Sequence, residues 1–182
     1  MRGTSLLLGL VLAGMTYFAQ AATPATSPAH TTAMHGKAIV LPDAAHQPDP
    51  KMRRRAVFSL TVAPASPAAT DPGLERVARA VNLLKASGVT KKQLDFVVLL
   101  SEGATDSALA DPAYRVRHGV ANPNLGLIAQ LSAAGVQMFV CGQALHSRQL
   151  DSNSLAPSIA ISLSALTSII TLQQQGYALV PL

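Results

Sequence analysis

Val136-Gln137-Met138-Phe139-Val140-Cys141-Gly142-Gln143 is the stretch on which the fold turns. Its first six residues are apolar but for Gln137, and glycines bracket the run at 135 and 142. A short continuous apolar run between turn residues reads as a strand covered on both faces. Gln143 to Gln149 then looks helical, so the strand feeds a helix directly. Cys141, the only cysteine of the chain, stands at that turn. There the positive end of a helix dipole would favour a thiolate. With no second cysteine there is no internal disulfide, so Cys141 is either a small core filler or a reactive centre.

The same strand-then-helix grammar extends in both directions. Ala56 to Ala63 is apolar and β-branched and stops at Pro64, which reads as a first strand. Asp71-Pro72 is a helix start, with Asp as cap and Pro at the first helical position. Leu74, Val77, Val81 and Leu84 then recur at helical spacing until Gly88. Asp95 to Leu100 is a second strand. Ser101 to Thr105 and a short helix-like stretch lead to a polar segment, Asp111 to Gly119, of which Tyr114 to Gly119 reads as a loop. Asn122-Pro123 opens a helix carrying Leu125, Ile128 and Leu131 and stopped by Gly135. After Cys141, a strand is expected at Ile159 to Leu163, a helix at Ala165 to Gln175 ended by Gly176, and a last strand at Tyr177 to Leu182. Pro181 places that last strand at a sheet edge or at its very end. Strands alternating with helices predict right-handed βαβ units and an open, mostly parallel sheet of about five strands. No repeat and no second domain is visible.

The N-terminus reads differently. Met1-Arg2 supplies a positive start, Ser5 to Phe18 is apolar, and Ala19-Gln20-Ala21 has the pattern a signal peptidase cleaves. Residues 1–21 are therefore expected to be a cleaved signal, which in a bacterium directs the chain to the periplasm without a stable membrane anchor. Residues 22–52 form a Pro-, Thr- and His-containing arm expected to be flexible, and 53–182 the folded domain. The arm carries His30, Met34, His35, His46 and Met52, types that suit copper, yet no compact ligand spacing appears and no metal is assigned. Without Arg2, thirteen basic side chains face nine acidic ones, with no Trp in the chain. So small an excess, without stacking aromatics, argues against nucleic acid. Charged residues make up 13% of the chain, low enough that another subunit is expected to cover apolar surface.

In open parallel sheets ligands bind beyond the carboxyl ends of the strands. That rim carries Cys141-Gly142, Ser101-Glu102-Gly103, Pro64-Ala65 and Ser164. Gly142 allows a tight turn beside the sulfur, and the amides of Gly142 and Gln143 are placed to stabilise a thiolate. Glu102, followed by Gly103, is a candidate proton donor or acceptor for the thiol, although a solvated loop carboxylate is the plainer reading. His118 sits in a polar loop able to fold over the rim, and a surface histidine is the plainer reading. A regular helix would turn His146 away from the sulfur. A dinucleotide fingerprint, a Walker A loop, H-E-x-x-H, C-x-x-C and G-x-S-x-G are all absent, so no cofactor is expected and a dithiol mechanism is excluded.

Four segments taken together resemble the DsrE/DsrF-like family, and more narrowly its exported branch, related to the small YchN-type proteins. They are Pro72 to Arg79; Tyr114 to Gly119 with Asn122 to Leu125; Val136 to Gln143; and Ala165-Leu166-Thr167 with Gln173 to Leu179. The likeness spans about residues 54 to 182. It implies a Rossmann-like three-layer α/β sandwich that associates as trimers or hexamers. It also implies sulfur relay or sulfur oxidation, with Cys141 accepting sulfur as a persulfide from a donor and passing it to an acceptor protein. Relatives of this branch often have His before the glycine at the second strand end, where this chain has Glu102. A carboxylate there disfavours a neighbouring thiolate and would slow transfer or mark another role. The alternative is an oligomeric, non-catalytic module of the same fold that binds a small anion or metabolite at the rim.

Overall fold

A computed structural model describes residues 35–182. The expected signal sequence and the first part of the arm lie outside the described residues. Five strands, β1 (Arg54–Leu60), β2 (Leu94–Leu100), β3 (Gln137–Cys141), β4 (Ile159–Ser162) and β5 (Ala178–Pro181), form one sheet in the order β4-β3-β2-β1-β5. Every pairing is parallel. Helices α1 (Pro72–Ala86), α2 (Asp111–His118), α3 (Leu125–Ala133), α4 (Gly142–Ser147) and α5 (Ala165–Gln174) connect the strands, with a 3-10 segment at Glu102–Ala108. The α/β class and parallel sheet read from the sequence are therefore the observed ones. Pro181 closes β5 on the outer edge, beside Ser59 of β1, where a missing N–H costs no ladder bond.

The start and stop signals explain these boundaries. Asp71 caps α1 by accepting the N–H groups of Gly73 and Leu74 at 2.8 and 3.1 Å. Gly88, Gly135 and Gly176 take positive φ just beyond α1, α3 and α5. The first strand begins two residues earlier than the apolar pattern indicates, because Arg54 and Arg55 pair with Leu94 and Asp95 of β2. Their neighbour Arg53 binds the Asp95 carboxylate at 2.9 Å, and Arg55 lies 3.6 Å from it, 5.9 Å above the Tyr177 ring. The basic run is thus the charged margin of β1.

Tyr114 to Gly119, expected to be a polar loop, belongs instead to helix α2 and its glycine cap. Asp111 and Pro112 occupy its first turn, one position further in than Asp71-Pro72 in α1. Arg115 pairs with Asp111 one turn away at 2.7 Å, and Gly119 ends the helix at φ 75°. Only Tyr114 of α2 is buried, and its other large apolar residue, Val116, is exposed, so the helix lacks an apolar stripe.

One face of the sheet holds the main core, in which α1 and α3 pack on Phe58, Leu60, Phe96, Val98, Leu100, Met138 and Val140. The opposite face has a small cluster, Val57, Val97 and Leu99, covered by Ile169 and Leu172 of α5 and by Tyr177. Residues 35–52 contain no helix or strand. Their first residues dock on α1: Glu75 accepts the Gly36 N–H and holds His35 Nδ1, each at 2.8 Å, and Asn82 donates to the His35 and Gly36 carbonyls. Among the described residues no helix is long and apolar enough to cross a membrane.

Candidate functional site

Successive side chains of a strand point to opposite faces. In β3, Met138 and Val140 enter the main core, so Phe139 and Cys141 face α5. The thiol therefore lies beneath the first turn of α5 rather than beside α4. Its Sγ accepts the N–H of Ala165, the first residue of α5, at 3.3 Å. Ser164 caps the same helix, its Oγ accepting the Leu166 N–H at 3.2 Å. The donor that reaches the sulfur is thus an otherwise orphaned amide of α5, not the amides of Gly142 or Gln143. Here the helix dipole and a direct donor act on the sulfur together.

Cys141 is only 6% exposed, yet it forms the floor of an open cleft of about 530 Å³ at the carboxyl ends of β1, β2 and β3. Ser59, Thr61, Ser101, Glu102, Gln143 and Arg148 are among the residues around it. Gly142 and Gly103 are required by contact. A Cβ on Gly142 would meet the Ser162 carbonyl at 2.9 Å, and one on Gly103 would meet the Ala63 nitrogen at 2.6 Å. The first glycine lets β4 approach the cysteine turn, and the second lets the β2 exit lie against the β1 exit. Gln143 ties these turns together by donating Nε2–H to the Leu163 carbonyl at 3.1 Å.

Glu102 adopts a left-handed backbone with φ 46°, at a cost of roughly 1–2 kcal/mol for a residue with a Cβ. Two donors to its carbonyl hold that geometry, the Thr105 hydroxyl at 2.8 Å and Arg148 Nη2 at 2.6 Å. Glu102 thus shares the cleft with Cys141, as the rim argument requires.

His118 does not share it. It belongs to a neighbouring cleft with Pro64, Pro67, Gly103, Asp106, Tyr114 and Arg148. Its Nε2 meets Asp106 Oδ2 at 2.9 Å, and its ring stacks at a tilt on Tyr114, 4.4 Å between centroids. His146 is exposed and lies outside the cysteine cleft. Of the arm's metal-suited residues, His30 and Met34 fall outside the described residues, and His35 is engaged with Glu75. No group of three or more His, Cys, Asp or Glu converges among the described residues.

The sequence reading passes over Arg148 and Asp106. Arg148 follows Cys141 by seven residues, two helical turns, which returns it to the side of α4 nearest the rim. That spacing was the available signal. Asp106 had none, because its partners come from α2 and α4.

A deeper polar cluster supports this end of the sheet. Asp71 is fully buried; Ser107 donates to its Oδ2 at 2.8 Å, and its own N–H donates to Asn124 Oδ1 at 2.7 Å. Burial pushes its carboxyl above the usual aspartate value, although the Leu74, Ser107 and Gly73 donors pull the other way.

The sequence model of the DsrE/DsrF-like family matches residues 55–182. The ychN protein of E. coli superimposes with a TM-score of 0.53 at 15% identity, covering 71% of this chain and 99% of its own. A protein of unknown function from Methanobacterium thermoautotrophicum, MTH1491, does so with a TM-score of 0.51, the same identity and the same coverage. At that identity the two structures speak for the fold alone. No curated protein matches the sequence.

Proposed function

Because this chain belongs to the DsrE/DsrF-like family, which is associated with sulfur relay, we propose that it handles sulfur by accepting it on Cys141 as a persulfide and passing it to an acceptor protein. The observation that carries this reading is the Ala165 N–H on the Cys141 sulfur at the floor of an open strand-end cleft. A donor fixed on the sulfur stabilises negative charge there in both the attacking thiolate and the persulfide. In the same reading the chain is exported through residues 1–21 to the periplasm. It works there as a trimer or hexamer, with α5 facing a second copy. Support for the assembly comes from the exposed Leu163, Leu166 and Ile170 around that helix.

The test is exposure of the purified protein to polysulfide, which carries sulfane sulfur, followed by intact-mass and peptide analysis. Sulfide alone is the control that should add nothing without an oxidant. One added sulfur atom on Cys141, removable by reductant and absent in Cys141→Ser, is the expected result. Alkylation of the native protein should proceed at a rate that rises with the thiolate fraction. A thiol inert until the protein is denatured would sink the proposal. It would leave the second reading, a small-ligand module in which Cys141, 6% exposed, is packing material.

A further inference from the structure

This inference rests on the reading of Cys141 as a sulfur acceptor and concerns what delivers the sulfur. Among the described residues two charged side chains line the cysteine cleft, Glu102 and Arg148. If Glu102 stood alone, the cleft would repel anions. Arg148 changes that balance. Its Nη1 meets Asp106 Oδ1 at 3.2 Å and its Nη2 the Glu102 carbonyl at 2.6 Å, which fixes the guanidinium while 30% of the side chain stays exposed. Asp106 does not neutralise it, because its other oxygen is closer to Arg117 Nε, at 2.8 Å, and to His118 Nε2, at 2.9 Å. One carboxylate thus faces two guanidinium groups, and the Glu102 carboxylate balances the remaining charge, so the cleft offers an anion a cation held in place rather than a net positive field. A guanidinium has five N–H donors; two are engaged here, and the other three have no partner among the described residues. Such a held, planar cation is preorganised for an anion.

We propose that Arg148 selects the sulfur donor, and that the donor is a small molecule carrying sulfane sulfur at one end and an anionic group at the other. The Cys141 thiolate attacks the sulfane sulfur. The bond from that sulfur to the anionic remainder breaks, the remainder leaves with the electron pair, and Cys141 keeps the sulfur as a persulfide. From thiosulfate the leaving group is sulfite; from glutathione persulfide it is the glutathione thiolate. No external oxidant or reductant enters the step.

The experiment compares the rates at which Cys141 of the purified protein reacts with two disulfides, an aromatic one bearing two carboxylates and uncharged dipyridyl disulfide. Loss of a nearby cation also disfavours the thiolate and slows both probes, so the ratio of rates is the quantity read. In Arg148→Gln the ratio of anionic to neutral rate should fall about tenfold, the effect of one lost charge-assisted contact, with partial recovery in Arg148→Lys. In the unsubstituted protein the ratio should fall as salt rises. Thiosulfate or glutathione persulfide should then add one sulfur to Cys141 with release of sulfite or glutathione, and the faster arm names the source. A ratio unmoved by Arg148→Gln overturns the proposal, as does failure of both donors. If the variant does not fold, a salt-independent ratio in the unsubstituted protein overturns it equally. A thiol that reacts with neither disulfide defeats the acceptor reading beneath. One that reacts with both at a salt-independent ratio defeats only this inference.

Discussion

On one face of the sheet α1 and α3 close over seven large side chains of β1, β2 and β3; on the other, a single helix, α5, together with Tyr177 covers Val57, Val97 and Leu99 and leaves Phe139 half-buried. The strands do not cause this difference. In β2 the residues alternate between the two faces, Phe96, Val98 and Leu100 against Val97 and Leu99, with equal apolar character. What differs is the number of helices, because the connections after β1 and β2 return on the first face and only the one after β4 returns on the second. Along the thinner face runs a groove of about 390 Å³ between β3 and α5, bordered by Phe139, Leu163, Thr171 and Leu172. The thiol of Cys141 points to this side too. The thick face therefore holds the domain together, while the thin face carries the Cys141 sulfur and, in the proposed reading, the chemistry and the surface for a partner.

Matched truncations give the largest test of that division. Leu131 of α3 is fully buried in the main core, whereas Leu172 of α5 is partly exposed. Leu131→Ala should cost roughly 3–4 kcal/mol through lost transfer energy and a residual cavity. Leu172→Ala should cost about 1 kcal/mol, because part of its surface meets water already. Urea unfolding of both variants, compared at constant slope, measures the gap. Equal losses would break the comparison and would mean that α5 is covered in solution by a second chain.

A smaller effect follows from Asp71 at the head of α1, on the thick face. Its carboxyl is held above the ordinary value of 3.8, chiefly by burial. Between 3.8 and its folded value the native state binds more protons than the unfolded chain. Its contribution to stability is therefore complete below 3.8 and is lost as pH rises through the folded value. Asp71→Asn keeps an oxygen to cap Gly73 and Leu74 but does not titrate. Its stability relative to the native protein should thus rise as pH climbs from 3.8 towards neutrality. Unfolding free energies across that range decide it; a constant difference would show that the buried carboxyl does not titrate with folding.

Most of the fold was legible in local signals and most of the site was not. Asp71-Pro72, Gly88, Gly135 and Gly176 mark element ends that the structure repeats, because caps and left-handed stops act within a few residues. Helix α2 was missed because its stability comes from an end signal, an i,i+4 ion pair and one buried Tyr114 rather than an apolar stripe. Cys141 and Glu102 were placed on one rim because strand ends in a parallel sheet gather there. Which amide reaches the sulfur depends instead on the face to which Cys141 points, and so on α5, 24 residues further along the chain. The seven-residue spacing from Cys141 returns Arg148 to the rim, but what holds its guanidinium there, Asp106 and the Glu102 carbonyl, lies 42 and 46 residues away in the chain.

The smallest change in stability should come from the outer side of α5. Ile170 is 57% exposed and lines neither the cysteine cleft nor the groove between α5 and β3. Within one chain Ile170→Glu removes little packing, so its unfolding free energy should stay within about 0.5 kcal/mol of the original. If α5 faces a second copy, the same substitution places a carboxylate in an apolar contact, where desolvation without a partner is costly. Light scattering after size exclusion should then show the native protein as a trimer or hexamer and Ile170→Glu as a smaller species. A native protein that elutes as a monomer would remove the second copy from the proposal. The thin face would then be thin in solution as well, and the cleft over Cys141 would meet its donor and acceptor with one chain alone.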